Sequence, residues 1–97
     1  MLPVAALAGV PAGREVAVAG QLVILQRPPT AKGVAFVTIE DETGLGNLVL
    51  SPAVERRCRG ALHAAPLLVA TGRIQRQGRV VSVQVTGVEP WHPGAVG

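Results

Sequence analysis

The stretch GVAFVTIEDETGLGNLVL, residues 33–50, constrains the fold of this chain more than any other. It reads as two β-strands joined by a tight acidic turn. With a period of two, Val37 and Ile39 share one face of the first strand, and Phe36 lies on the other beside Thr38 and Glu40. The only phenylalanine of the chain therefore points away from the face that becomes core. An aromatic ring among polar neighbours is a candidate stacking platform for a nucleic-acid base; the alternative is a ring packed under a loop. The preceding loop, QRPPTAKG, favours the platform. Arg27, Lys32, two prolines and Gly33 make it basic and semi-rigid, which suits a phosphate backbone lying beside a base.

Composition bounds the remainder. Ninety-seven residues make one domain with a modest core. Hydrophobic residues are 48% but aromatics only 2%, so Val, Leu, Ile and Ala must fill that core. Twelve glycines, eight prolines and many valines favour short strands and turns. No run of 18 apolar residues exists to span a membrane. The start, MLPVAALAGVPAG, lacks a basic region ahead of its apolar stretch and makes a poor signal peptide. One cysteine, Cys58, excludes an internal disulfide and a cysteine-based zinc site, and a cytoplasmic setting is the expectation.

Along the chain, residues 1–13 look like a leader with little regular structure, 14–89 the folded domain and 90–97 a flexible tail. Residues 14–26 form a long first strand. Gly20 interrupts its alternation and marks a bulge or bend, and the LVIL run that follows implies burial on both sides. Residues 34–40 and 45–50 are strands two and three. Ser51-Pro52 starts a helix, serine as N-cap and proline in the first position; Glu55 suits its dipole. Val54, Cys58 and Leu62 form its apolar stripe, Arg56, Arg57 and Arg59 face out, and Gly60 implies a short helix. Residues 67–76 and 79–88 are strands four and five, turning at Gln77-Gly78.

The order of three strands, a short helix and two strands, with a bent first strand, describes an all-β, five-stranded oligonucleotide/oligosaccharide-binding (OB) barrel. Its ligand face lies on strands two and three, between the loops joining strands one to two and four to five. Charge agrees with this topology. Net charge is +3, and eight of the nine basic residues are arginine, suited to phosphate contacts and stacking. Arg27 and Lys32 fall in the first loop; Arg73, Arg76 and Arg79 surround the second. The acids Glu40, Asp41 and Glu42 cluster at a different hairpin.

The stretch GREVAVAGQLVILQRPPTAKGVAFVTIEDETGLGNLVL, continuing through VERRCRGAL and VATGRIQRQGRVVSV, resembles the C-terminal OB-fold domain of bacterial C-family DNA polymerase alpha subunits, and within them the error-prone branch. More distantly, FVTIED is similar to the anticodon-binding barrels of class II aminoacyl-tRNA synthetases, where the aromatic matching Phe36 stacks on a base. The polymerase resemblance implies single-stranded DNA contact by Phe36, Arg27 and Lys32, with Arg73 and Arg76 matching a basic end of strand four. It also implies roles in DNA replication and repair, alongside other polymerase or replisome subunits. One departure is Ser51, where relatives often carry a large aromatic. The polymerase, exonuclease and finger modules are absent from these residues, so the chain is either a fragment or a short relative retaining the barrel.

Other residues carry less. His63 and His92 have no Cys or carboxylate partners at ligand spacing, so no metal or other cofactor is expected. The acids 40–42 read as a solvated turn rather than a nuclease centre. Gly44-Leu45-Gly46 lacks the remainder of any phosphate-binding fingerprint. Cys58 reads as a small buried hydrophobe, and Trp91 as a cap on the barrel, with an oligomer contact or a ring in solvent as the alternatives. No catalytic set exists. The sequence thus describes a non-catalytic single-stranded DNA-binding module: Phe36 stacks a base, Thr38 bonds a base edge, and Arg27, Lys32, Arg73, Arg76 and Arg79 track phosphates. The alternatives are a protein-interaction barrel and an RNA-binding barrel of the anticodon type.

Overall fold

Alternating valines and glycine turns yield five strands and one α-helix in the computed structural model, which describes residues 1–64 and 66–92. They are β1 (Glu15–Gln26), β2 (Ala35–Asp41), β3 (Gly44–Leu50), α1 (Pro52–Ala64), β4 (Leu67–Gln77) and β5 (Val80–Pro90). Hydrogen bonds link them in the order β1-β2-β3-β5-β4 and close the barrel. β3 and β5 run parallel, and the other named pairs are antiparallel. This is the expected OB barrel, with its helix between β3 and β4.

Closure depends on β1 having two partners. Its first half pairs with β4, its second half with β2, and Gln21 faces both Leu67 and Glu40. Gly20 sits at the changeover. A Cβ there would lie 2.7 Å from the Glu40 carbonyl oxygen, so no side chain fits between the converging strands. The irregularity expected at Gly20 falls instead between Leu22 and Ile24. There the strand leaves strict alternation, and Val23 and Ile24 are 41% and 48% exposed. The LVIL run is therefore not buried on both sides.

Small aliphatic side chains fill the interior as composition required. Val18, Val37, Ile39, Leu48, Leu50, Leu68, Val83 and Val85 are its largest fully buried members. α1 closes one opening of the barrel with Cys58 and Leu62 buried, Val54 packed at their side and Ser51 as N-cap, its Oγ accepting from the Val54 N–H at 3.3 Å. At 13 residues it is longer than Gly60 led one to expect. Gly60 is exposed and an added Cβ would meet nothing within 4 Å, so its cost is backbone entropy alone.

The leader is the main departure from the sequence reading. Val4–Gly9 form a 3-10 helix with Val4 and Leu7 buried, and Leu2 bridges to Val18. Three residues per turn place Val4, Leu7 and Val10 on one side of such a helix, and this side enters the core cluster. Gly46 makes room: a Cβ there would come within 2.9 Å of Val4. Asp41 and Thr43 fasten the segment by accepting the N–H groups of Val4 and Ala5 at 2.8 and 2.9 Å. At the other terminus, the Trp91 N–H donates to the Leu67 carbonyl, and its half-buried ring flanks Met1, Leu2 and Ala19, at the edge of the barrel. Of the tail expected at 90–97, residues 93–97 lie outside the described residues.

Two substitutions test this packing by urea unfolding. Leu7→Ala is expected to cost about 2–5 kcal/mol, as for a core leucine; a loss under about 0.5 kcal/mol would show the leader to be dispensable. Gly60→Ala is expected to stabilise by about 0.8–1 kcal/mol, and destabilisation would contradict the open surroundings of that position.

Candidate nucleic-acid interface

Strand pleating sets the outer face of the barrel. Ile24, Thr38, Asn47 and Ser82 form one row across four strands, and Gln26, Phe36, Val49 and Gln84 form the next. Phe36 is 40% exposed, while Val37 and Ile39 beside it are buried. The ring therefore stands on the outer face as its alternation predicted. Around it is a cleft of about 360 Å³, walled by Gln26, Thr38, Asn47, Val49, Gln77, Val80 and Ser82. That volume is at the small end of the about 300–1,000 Å³ common for ligand pockets, room for a single unstacked base. Apolar Phe36 and Val80 meet amides and hydroxyls that both donate and accept.

The β4–β5 hairpin brings Val80 over this face. Gly78 supplies the positive φ, 61°, that the first position of its two-residue loop requires. Arg79 follows, exposed, and shares a neighbouring depression with Leu45 and Asn47. Asn47 also walls the Phe36 cleft, so the two hollows adjoin. Lys32 lies exposed in the β1–β2 loop, with left-handed backbone (φ 54°) after a short 3-10 turn, Pro29–Ala31. Neither Arg79 nor Lys32 is in an ion pair among the described residues.

The other three expected phosphate ligands each have a partner within the protein. Arg73 donates to the Gly13 carbonyl at 3.1 Å, and Arg76 to the carbonyls of Ala8 and Val10. Both hold the leader against β4 and neither walls the cleft. Arg27 pairs with Glu55 at 3.1 Å, and Arg59 grips the same carboxylate in bidentate fashion at 2.6 and 3.0 Å. Glu55 is 3% exposed. A buried carboxylate requires such partners, and the Arg59 hydrogen bonds, with help from Arg27, hold its pKa down at about 2 despite desolvation. The i, i+4 spacing of Glu55 and Arg59 was the available sequence signal for this node. Asn47, Val80, Gln26, Gln77 and Ser82 went unread because their place in the cleft depends on the register of three strand pairs.

Among the described residues there is no group of three or more His, Cys, Asp or Glu able to hold a metal ion, and no helix is long and apolar enough to cross a membrane. Cys58 is buried, as its place on the helix stripe implied.

Comparison with known proteins places this geometry. No family model matches the chain. The error-prone DNA polymerase of Anaeromyxobacter dehalogenans is 51% identical over 75 residues, which are 77% of this chain and 7% of that polymerase. The chain thus spans only a small part of the relatives it matches. Among solved structures, asparaginyl-tRNA synthetase from Pyrococcus horikoshii superposes with a TM-score of 0.64 at 22% identity, over 80% of this chain and 20% of that one. An OBody bound to hen egg-white lysozyme gives 0.65 at 15% identity, over 84% and 83%. At these identities the two structures establish the fold alone.

Acid unfolding tests the Glu55 node. Its folded pKa, about 2, lies below the ordinary 4.5, so its contribution is complete above pH 4.5 and is lost as pH falls from there through 2. Asp41, lowered first by the Thr43 hydroxyl and then by the Val4 N–H, acts in the same direction. Stability measured by urea midpoint is expected to decline across that interval, and Glu55→Gln is expected to flatten the decline. An unchanged acid limb in the variant would remove Glu55 from the account.

Proposed function

Since the chain resembles, over three quarters of its length, a short segment of error-prone DNA polymerases and folds as an OB barrel, we propose that it is a non-catalytic module that binds single-stranded DNA. The observation that carries this reading is the outward Phe36 ring in a small cleft, with Lys32 and Arg79 exposed in the β1–β2 and β4–β5 loops and in no ion pair among the described residues. Phe36 stacks one base, with Val80 against its other side. Thr38 and Asn47 hydrogen-bond the base edge. Lys32 and Arg79 attract the flanking phosphates from the two loops. In an intact polymerase the barrel holds template strand ahead of the catalytic domains, in replication or repair.

Sequence preference is expected to be slight. Every base has a face to stack, and cation–phosphate contacts carry no code. A protein-interaction role is the second reading, favoured by the exposed Val23, Ile24, Leu45 and Val80; the OBody bound to lysozyme shows a related fold in a complex with a protein. The two readings differ in salt dependence. With Lys32 and Arg79 each neutralising one phosphate, log K for a dT tetramer is expected to fall against log salt with a slope of about −1.4, at roughly −0.7 per contact.

Phe36→Ala separates stacking from charge. Stacking on an aromatic is worth about 1–3 kcal/mol, so fluorescence anisotropy is expected to show about 5- to 150-fold weaker binding of labelled dT. The salt slope is expected to stay the same, because no phosphate contact is removed. Unaltered affinity in a folded variant would exclude Phe36, and no binding to any oligomer at low salt would favour the protein-interaction reading.

A further inference from the structure

We propose that a single strand longer than the cleft continues onto a second binding surface, formed by the β1–β2 loop and the outer face of α1, where Arg27, Arg56 and Arg59 meet successive phosphates. This extension rests on the cleft reading, because it takes its strand from there.

Continuity of the surface comes first. Gln26 lies opposite Phe36 and walls the cleft, and Arg27 is the next residue, one step of about 3.3–3.6 Å along the chain. From Arg27 the surface passes to the helix through Glu55, which Arg27 and Arg59 share. The loop is also seated on the helix start at Gly33, where a Cβ would be 3.2 Å from the Pro52 ring. Arg56 precedes Arg59 by three residues and lies on the same side of α1. It is exposed and in no ion pair among the described residues.

The charge of this surface is one-sided. Glu55 is the only acid in α1, and it is buried beneath the two guanidinium groups it orients. Three arginines and one carboxylate leave two net positive charges facing solvent. Arg59 spends Nε and one Nη on Glu55 and keeps its other Nη; Arg27 spends Nη2 and keeps Nη1 and Nε. Side chains of Arg27 and Arg59 are 40% and 56% exposed. Each can bond a phosphate without releasing the carboxylate.

The opposite end of the cleft supplies the direction. Glu40 stands on the outer face at the far end of β2, followed by Asp41 and Glu42 in the turn to β3. These carboxylates repel phosphate. A strand leaving Phe36 is attracted toward the loop and α1 and turned away from the acidic hairpin.

Binding of a dT tetramer and a dT dodecamer across a salt series, with wild type, Arg56→Ala and Arg56→Glu, tests the proposal. The tetramer, with one base in the cleft, engages Lys32 and Arg79 and has a slope of about −1.4; the dodecamer adds two net charges and steepens it to about −2.8. At 0.1 M salt each contact contributes about fivefold. Arg56→Ala is therefore expected to weaken dodecamer binding about fivefold and make its slope shallower by about 0.7, leaving the tetramer unchanged, with Arg56→Glu weakening it further. Circular dichroism melting confirms that both variants fold, as expected for an exposed residue. Equal slopes for the two lengths, or dodecamer binding indifferent to Arg56, would overturn the extension while leaving the cleft intact. No binding of the tetramer by wild type would overturn the cleft reading itself, and the extension with it.

Discussion

β1 must hydrogen-bond β4 with its first half and β2 with its second, and the barrel exists only because one strand can do both. The changeover comes where Gly20 lets the Glu40 carbonyl approach. From there β1 runs on to Gln26, which places its end beside Phe36 and delivers the β1–β2 loop to one edge of the outer face. Closure on the other side, through β4 and β5, brings Val80 and Arg79 to the opposite edge. The cleft is thus a consequence of closure: its walls come from all five strands.

A core built of Val, Leu, Ile and Ala leaves the single phenylalanine on the surface, and the β1–β2 and β4–β5 loops each carry an exposed cation in no ion pair among the described residues. The other arginines divide by task. Arg73 and Arg76 bond carbonyls of the leader, and Arg57 bonds the Thr86 carbonyl. Arg27 and Arg59 neutralise Glu55 and remain partly exposed. Structural contacts and the proposed binding therefore draw on different cations, except along the Arg27–Glu55–Arg59 node, where one set of contacts holds the loop to the helix and presents charge to solvent.

Period-two alternation made β2 and its outward ring legible, and the strand order made the barrel legible, because both are local signals summed along the chain. The leader was misread: its alanines, prolines and glycines suggested little structure, whereas Val4 and Leu7 find a site that exists only when Gly46 is folded beneath them. Composition cannot report such a site. The basic residues were read as a group by loop, yet Arg73 and Arg76 bond backbone carbonyls distant in sequence and Arg27 a carboxylate of the helix, as Arg76 with Ala8 and Arg27 with Glu55 show. The exposed Ile24 likewise follows from an irregularity in pairing with β2 that the apolar run LVIL conceals.

Binding at the Phe36 cleft is the central claim, and a nuclear magnetic resonance titration of the labelled protein with dT oligomers tests it residue by residue. Amide shifts are expected to concentrate at Gln26, Phe36, Thr38, Asn47, Val49 and Ser82, with Arg73 and Arg76 little affected because they face the leader. Shifts gathered instead around the leader and Arg73, or no shifts at low salt with oligomer in excess, would contradict the account.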